Sequence, residues 1–199
     1  LLSAVNAADP LFAKPFAESQ VLVTDSMDAA PAKKNNSFRD LGHYVAEQLT
    51  AKSRIASLSL SGWDSHRIQP KIMAEQLAAL SDMVLAMKEG LAAHWGTTLV
   101  IAMTEFGRTA RENGTMGTDH GTGGLMIAAG GALRGKRVIA DWPGLSQPNL
   151  LADRDLMPTR DVRAFAGWAL HSLYGVEASA IEAVVFPGLD LGDDPALLL

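Results

Sequence analysis

The sequence of 199 residues contains no cysteine. Disulfides, thiolate zinc sites and cysteine nucleophiles are therefore excluded, but the cellular compartment stays open, because many exported proteins also lack cysteine. No apolar run approaches the length of about 18 residues that a membrane span needs. No signal peptide is visible in the chain, which opens without methionine at Leu1, and this opening predicts a processed or truncated chain.

Other signatures are absent as well. The net charge of -5 argues against nucleic acid as a partner, because nucleic-acid binding depends on lysine and arginine. The segment Gly130–Lys136 has the glycine and lysine spacing of a P-loop, but Arg137 stands where Ser or Thr would hold Mg²⁺. No Gly-x-Ser-x-Gly elbow occurs, which argues against an α/β-hydrolase serine triad.

Helical periodicity marks three segments of the chain. The first runs from Phe38 to about Lys52, and the second runs from Pro70 to Leu91, with proline at its first turn. Asp161 caps the third helix and Gly175 stops it. A shorter helix is predicted at Ser179–Val185. The second helix carries one predicted buried stripe: Met73, Leu77, Leu80 and Val84.

Two apolar runs, Arg54–Leu60 and Leu99–Met103, have the pattern of strands and flank the second helix. Strand, helix and strand in this order predict a βαβ unit with parallel strands and a right-handed crossover. Shorter strands are predicted at Leu125–Ala129, Lys136–Ala140 and Gln20–Thr24. The predicted fold class is therefore α/β, with a mostly parallel central sheet flanked by helices.

Acidic and imidazole side chains follow both apolar runs. Asp64 and His66 come after the first run, Glu105 comes directly after the second, and Asp119 and His120 lie between glycines. Ligands of open α/β sheets bind outside the carboxyl ends of the strands, so these side chains are candidates for one site. Carboxylate and imidazole together suit Zn²⁺ or Mn²⁺.

Each cluster also has an ordinary structural interpretation. Gly and Asp are common turn residues, which could account for Asp119. Glu105 is costly after an apolar strand unless it is paired, and Arg108 could be its partner. We favour a joint metal site because three such clusters in one stretch, Arg54–Thr122, are unlikely to be independent.

Several motifs in this order resemble one known family. They are Gly62-Trp-Asp-Ser-His66, Thr104-Glu-Phe-Gly-Arg-Thr109, Asn113-Gly114, Gly117-Thr-Asp-His-Gly121 and Pro158-Thr-Arg-Asp-Val-Arg163. The family is an uncharacterised group of exported, sulfatase-like bacterial proteins, domain of unknown function 1501, which is grouped with the alkaline phosphatase superfamily. The resemblance covers roughly Ser37 to Leu189.

The resemblance implies a central, mostly parallel sheet with one or two divalent cations at its strand ends. Zinc or manganese would be the metal, with calcium as a further candidate. The implied metal ligands are Asp64, His66, Glu105, Asp119 and His120. Arg108 would face an anionic substrate and is the implied catalytic residue. The implied location is the periplasm or another exported compartment.

Relatives in this superfamily carry a further metal-binding Asp and a Ser or Thr nucleophile on their first strand, and this chain has neither. We therefore expect it to be the C-terminal half of such a protein, with residues 1–36 as an extension and residues 37–199 as the α/β metal-site domain. The predicted function is metal-dependent hydrolysis of small-molecule phosphate or sulfate esters by the intact protein. The alternative is a non-catalytic exported binding or scaffold domain with a structural metal site.

Overall fold

The computed structural model describes residues 38–199, and the predicted strand Gln20–Thr24 lies outside them. The chain separates into two units, Leu1–Ser37 and Phe38–Leu199. The predicted division into residues 1–36 and 37–199 stays a prediction. Among the described residues, no helix has the length and apolarity that crossing a membrane requires.

Two helices form the first part of the described unit. Helix α1 is Phe38–Thr50 and helix α2 is Gln69–Leu91, which confirms both predicted helices. A 3₁₀ helix, Ala92–Thr97, follows α2 directly. The two α-helices approach closely at Gly42, where a Cβ atom would lie 2.3 Å from the carbonyl oxygen of Met83. Only glycine permits this contact, so Gly42 marks the point at which the two helices can approach most closely.

The main hydrophobic core lies between α1 and α2. Its buried members are Val45, Ala46, Leu80, Met83, Met87 and Leu91. The predicted stripe on α2 is only partly correct, because Leu80 is 7% exposed whereas Leu77 is 42% exposed. Val100 and Ala102, from the second apolar run, pack against this core, so α2 does lie against that predicted strand.

The sheets differ from the predicted fold class. Strand β1, Val100–Ala102, pairs antiparallel with β4, Ile127–Ala129. Strand β2, Gly107–Arg108, pairs antiparallel with β3, His120–Gly121. Within residues 38–199 the strands form these two small sheets, and other strand-like pairing is limited to isolated bridges. The predicted α/β fold with a mostly parallel central sheet is therefore wrong for this part of the chain.

Two predicted strands do not form. Arg54–Leu60 has no strand partner among residues 38–199, and Ile55 in it is 65% exposed. The βαβ unit is wrong for this reason. Lys136–Ala140 is also irregular: Val138 is exposed, and Lys136 adopts a left-handed conformation with φ of 63°. An alternating or apolar pattern becomes a strand only when a partner supplies the ladder of hydrogen bonds, and the pattern does not reveal the partner.

The last part of the unit is helical. Helix α3, Val162–Tyr174, begins after Asp161, whose side chain accepts a hydrogen bond from the Arg163 N–H, and ends at Gly175, which has φ of 67°. Both predicted ends are confirmed. A short helix follows, α-helical over Ala178–Ala180 and π-helical over Ile181–Val185, where a short helix was predicted. It packs with α3 in a second core around buried Ile181.

Candidate metal site

Three side chains from two distant segments meet at one point. Asp64 and His66 precede α2, on either side of Ser65, which is buried. His120 lies on β3, directly across the antiparallel ladder from Arg108 on β2. Asp64 Oδ1 is 2.8 Å from His120 Nε2 and 3.0 Å from His66 Nε2. The two Nε2 atoms are 3.0 Å apart.

This triangle of ligand atoms could hold a metal ion. Two ligands on one zinc ion, each about 2.0–2.1 Å from it, stand about 3.4 Å apart at the tetrahedral angle. The separations among Asp64, His66 and His120 are slightly shorter, so a small outward movement of the three side chains makes room for a cation. The donor set of two imidazole nitrogens and one carboxylate oxygen is one that zinc sites use.

Asp64 is held in its charged form. The hydrogen bond from His120, opposed by desolvation and supported by a hydrogen bond from Arg108, keeps the pKa of Asp64 below its ordinary value. Arg108 Nη2 lies 2.8 Å from Asp64 Oδ1, and Arg108 Nη1 donates to the Thr118 carbonyl oxygen. A charged carboxylate is the form that a cation requires, so this ligand is ready at neutral pH.

Asp119 occupies a different position from the other predicted ligands. Its Oδ1 lies 3.2 Å from His66 Nδ1, on the side of the ring away from Asp64, and 3.1 Å from Asn113 Nδ2. Hydrogen bonds from Asn113 and then His66 lower the pKa of Asp119. Asp119 therefore lies beside His66 and outside the triangle.

The loop that carries Asn113 is built around His66. Asn113 Nδ2 and Thr115 Oγ1 both donate to the His66 carbonyl oxygen, at 3.0 and 2.7 Å. Asn113 Oδ1 accepts hydrogen bonds from the backbone N–H groups of Thr115 and Gly117. A Cβ atom at Gly117 would lie 2.4 Å from the His66 carbonyl oxygen, so glycine is required there. Sequence reasoning did not assign a role to Asn113, although it belongs to one of the motifs.

Phe106 and Glu105 lie at the start of the same region. The Phe106 ring stacks on His120 with centroids 4.2 Å apart, a contact that sequence reasoning missed although Phe106 adjoins a candidate ligand. Glu105 is exposed and lies outside the triangle. Arg108, its possible partner, pairs with Asp64 instead. The assignment of Glu105 as a metal ligand stays a prediction.

The comparisons with known proteins identify the family. A family model for proteins of unknown function, DUF1501, matches residues 24–185. The chain belongs to the DUF1501 family. No curated protein and no solved structure matches it significantly. The family part of the resemblance is thus confirmed, whereas the sulfatase-like relationship stays a prediction.

Beside the triangle, this DUF1501 protein has a polar cavity of about 230 Å³. Asn113 and Asp119, which both contact His66, also form part of the wall of this cavity. Arg111, Arg154 and Glu112 also line this cavity. The candidate metal site therefore adjoins a space in which both hydrogen-bond donors and acceptors are available.

Proposed function

We propose that this DUF1501 protein binds a divalent cation, zinc or manganese, and that the intact protein uses it to hydrolyse phosphate or sulfate esters. Asp64, His66 and His120 would hold the ion. The observation that carries the proposal is their convergence: three ligand atoms from distant segments lie within 3.0 Å of one another. The two imidazoles favour zinc or manganese over calcium, which prefers oxygen ligands throughout.

The solvent exposure of the three ligands supports a catalytic role for the metal and argues against a purely structural one. The side chains of Asp64, His66 and His120 are 58%, 38% and 50% exposed. Structural zinc sites are closed by four protein ligands, whereas catalytic sites combine three protein ligands with an open position. Three ligands that face solvent fit the second description better, so we prefer the hydrolase over the scaffold alternative.

The chain's own residues would prepare and orient the reactants. When bound, the cation would supply a Lewis acid for a phosphoryl or sulfuryl oxygen. Asp64 would stay ionised beside Arg108, and Asp119 would hold the His66 ring. The alcohol part of the ester would lie in the polar cavity, where Arg111 and Arg154 offer donors. Glu105 is exposed and available as a further ligand in the presence of substrate.

The substrate and location form part of the same proposal. A small-molecule anionic ester fits a site with a divalent cation and arginine side chains, and the net charge of -5 argues against nucleic acid as the substrate. The resemblance to exported, sulfatase-like proteins supports an exported location for the protein. Arg108 is proposed to serve the site mainly through Asp64, to which it is bound.

Metal analysis tests the proposal directly. After dialysis against zinc or manganese and removal of excess ion, the protein should retain the metal, and His66→Ala and His120→Ala should each lose it without a change in circular dichroism. His94→Ala replaces an exposed histidine outside the candidate metal-binding group, so it is the matched control and should keep the metal.

Activity then separates the two candidate functions. In the intact protein, hydrolysis of p-nitrophenyl phosphate or p-nitrophenyl sulfate should require the metal and should disappear in both histidine variants. Retained metal without hydrolysis of either ester by the intact protein would favour the scaffold domain. A protein that retains neither zinc nor manganese would disprove the metal site.

A further inference from the structure

We infer that Asp119 positions His66 for metal binding and is not itself a ligand. The inference rests on the proposed metal site. It makes Asp119 a positioning residue, whereas its neighbour His120 is a proposed metal ligand. Asp119 Oδ1 lies 3.2 Å from His66 Nδ1, while His66 Nε2 lies 3.0 Å from Asp64 Oδ1. The two ring nitrogens thus face two different carboxylates.

The contact at Nδ1 determines which nitrogen carries the proton. An ionised carboxylate can only accept hydrogen bonds, so Nδ1 must be the protonated nitrogen that donates to Asp119. Nε2 of the neutral His66 ring then carries a lone pair, which accepts a hydrogen bond from His120 Nε2 at 3.0 Å. This is the tautomer in which Nε2 can bind a cation. Metal-binding histidines commonly have such a carboxylate at the other nitrogen, which fixes the ring and raises its basicity.

Asn113 fixes Asp119 in this role. Its Nδ2 atom donates to Asp119 Oδ1 at 3.1 Å and to the His66 carbonyl oxygen at 3.0 Å. The Asp119 N–H donates to Thr109 Oγ1. The same side-chain amide therefore ties the carboxylate of Asp119 to the backbone of His66. Rotation of Asp119 toward the triangle would break its hydrogen bonds to both Asn113 and His66.

The tautomer of His66 can be measured in the metal-free protein. Long-range ¹H–¹⁵N correlation spectra of the histidine rings should show His66 protonated at Nδ1. Asp119→Ala should abolish this preference, because the acceptor is lost. Asp119→Asn should retain it, because the amide oxygen can accept the same hydrogen bond. A purely structural role for Asp119 would not predict this difference.

Zinc affinity, measured by competition with a chelator, provides the second readout. Loss of an outer carboxylate typically weakens metal binding about 10- to 100-fold. We expect a loss of that size for Asp119→Ala, a smaller loss for Asp119→Asn and complete loss for Asp64→Ala. Glu112→Ala removes another carboxylate from the wall of the same cavity and should leave both the tautomer and the affinity unchanged.

The outcomes separate this inference from the proposed function. Asp119→Ala would overturn the inference if it abolished zinc binding as completely as Asp64→Ala does, since Asp119 would then be a ligand. Unchanged tautomer and affinity in Asp119→Ala would also overturn it. A wild-type protein that binds neither zinc nor manganese would disprove the proposed function, and the ring spectra would still decide whether Asp119 sets the tautomer of His66.

Discussion

Arg108 lies across the sheet from His120 and donates to Asp64 Oδ1 at 2.8 Å, the oxygen that also contacts both histidines. Its remaining hydrogen bonds go to the carbonyl oxygens of Thr118 and Trp63. The guanidinium is therefore occupied by three protein acceptors. It holds a candidate ligand in place, and the substrate-facing role that the resemblance implies for it stays a prediction.

Removal of this guanidinium should weaken metal binding. In Arg108→Ala, Asp64 loses the contact that orients it, and we expect zinc affinity to fall by about tenfold, as for other outer partners of a metal ligand. Arg39→Ala breaks an ion pair of similar length, 2.7 Å to Glu89, and should leave the affinity unchanged. If Arg108→Ala instead keeps its affinity for zinc and raises KM for an ester, Arg108 faces the substrate after all.

The core between α1 and α2 predicts a difference between two leucines on one helix. Leu80→Ala should lower the free energy of unfolding by about 2–5 kcal/mol, because it leaves a cavity in a packed core. Leu85 is exposed on the same helix, so Leu85→Ala should cost much less. Denaturant titration measures both. Equal losses for the two variants would show that the buried face of α2 is assigned incorrectly.

The close approach of the two helices predicts an effect of a single methyl group. Gly42→Ala should destabilise the protein by about 1–3 kcal/mol, since the new Cβ would meet the Met83 carbonyl oxygen and force the helices apart. Gly96 has open space where its Cβ would be, so Gly96→Ala serves as the control and should unfold at nearly the wild-type midpoint. A wild-type midpoint for Gly42→Ala would contradict the observed helix contact.

The cap of α3 predicts a dependence of stability on pH. Hydrogen bonds from the Arg163 guanidinium and N–H lower the pKa of Asp161. Because the folded pKa lies below the unfolded value of about 3.9, this stabilisation is complete above pH 3.9 and is lost as the pH falls through the folded pKa. Asp161→Asn keeps a capping side chain but should lose this acid dependence.

Replacement of the cap itself should be more costly. Asp161→Ala should lower the free energy of unfolding at neutral pH by about 0.5–2 kcal/mol, because the Arg163 N–H loses its acceptor. Urea titrations of wild type and both variants from neutral pH to pH 3 measure the two effects together. The same acid dependence in Asp161→Asn as in wild type would assign it to another carboxylate.

The sequence predicted the helices well and the sheets poorly, for a physical reason. Helix α2 depends on hydrogen bonds within one segment, so proline at its start and apolar residues at helical spacing were sufficient evidence. A strand depends on a distant partner. The run Leu99–Met103 contains β1, but its partner is β4 in an antiparallel register, whereas Arg54–Leu60 has no strand partner in the described unit.

Residue chemistry anticipated where the candidate site lies, although the predicted sheet did not form. Asp64, His66 and His120 were predicted to meet, and they do so around a two-stranded sheet. The difference between Asp119 and His120 could not be predicted, because adjacent residues in a bent segment can point in any direction. Only the hydrogen bonds of Asn113 and His66 separate their roles.

His66 and His120 are 54 positions apart in the chain, yet their ring nitrogens nearly touch. An ion bound by both would close a loop of that length, and the unfolded chain does not hold the two rings together. Binding to the folded form alone stabilises a protein by about 2.7 kcal/mol when the free ion is at a hundredfold excess over its Kd. The melting temperature of this chain would therefore report the free metal concentration of its surroundings, and chelation would unfold it at temperatures that the loaded form withstands.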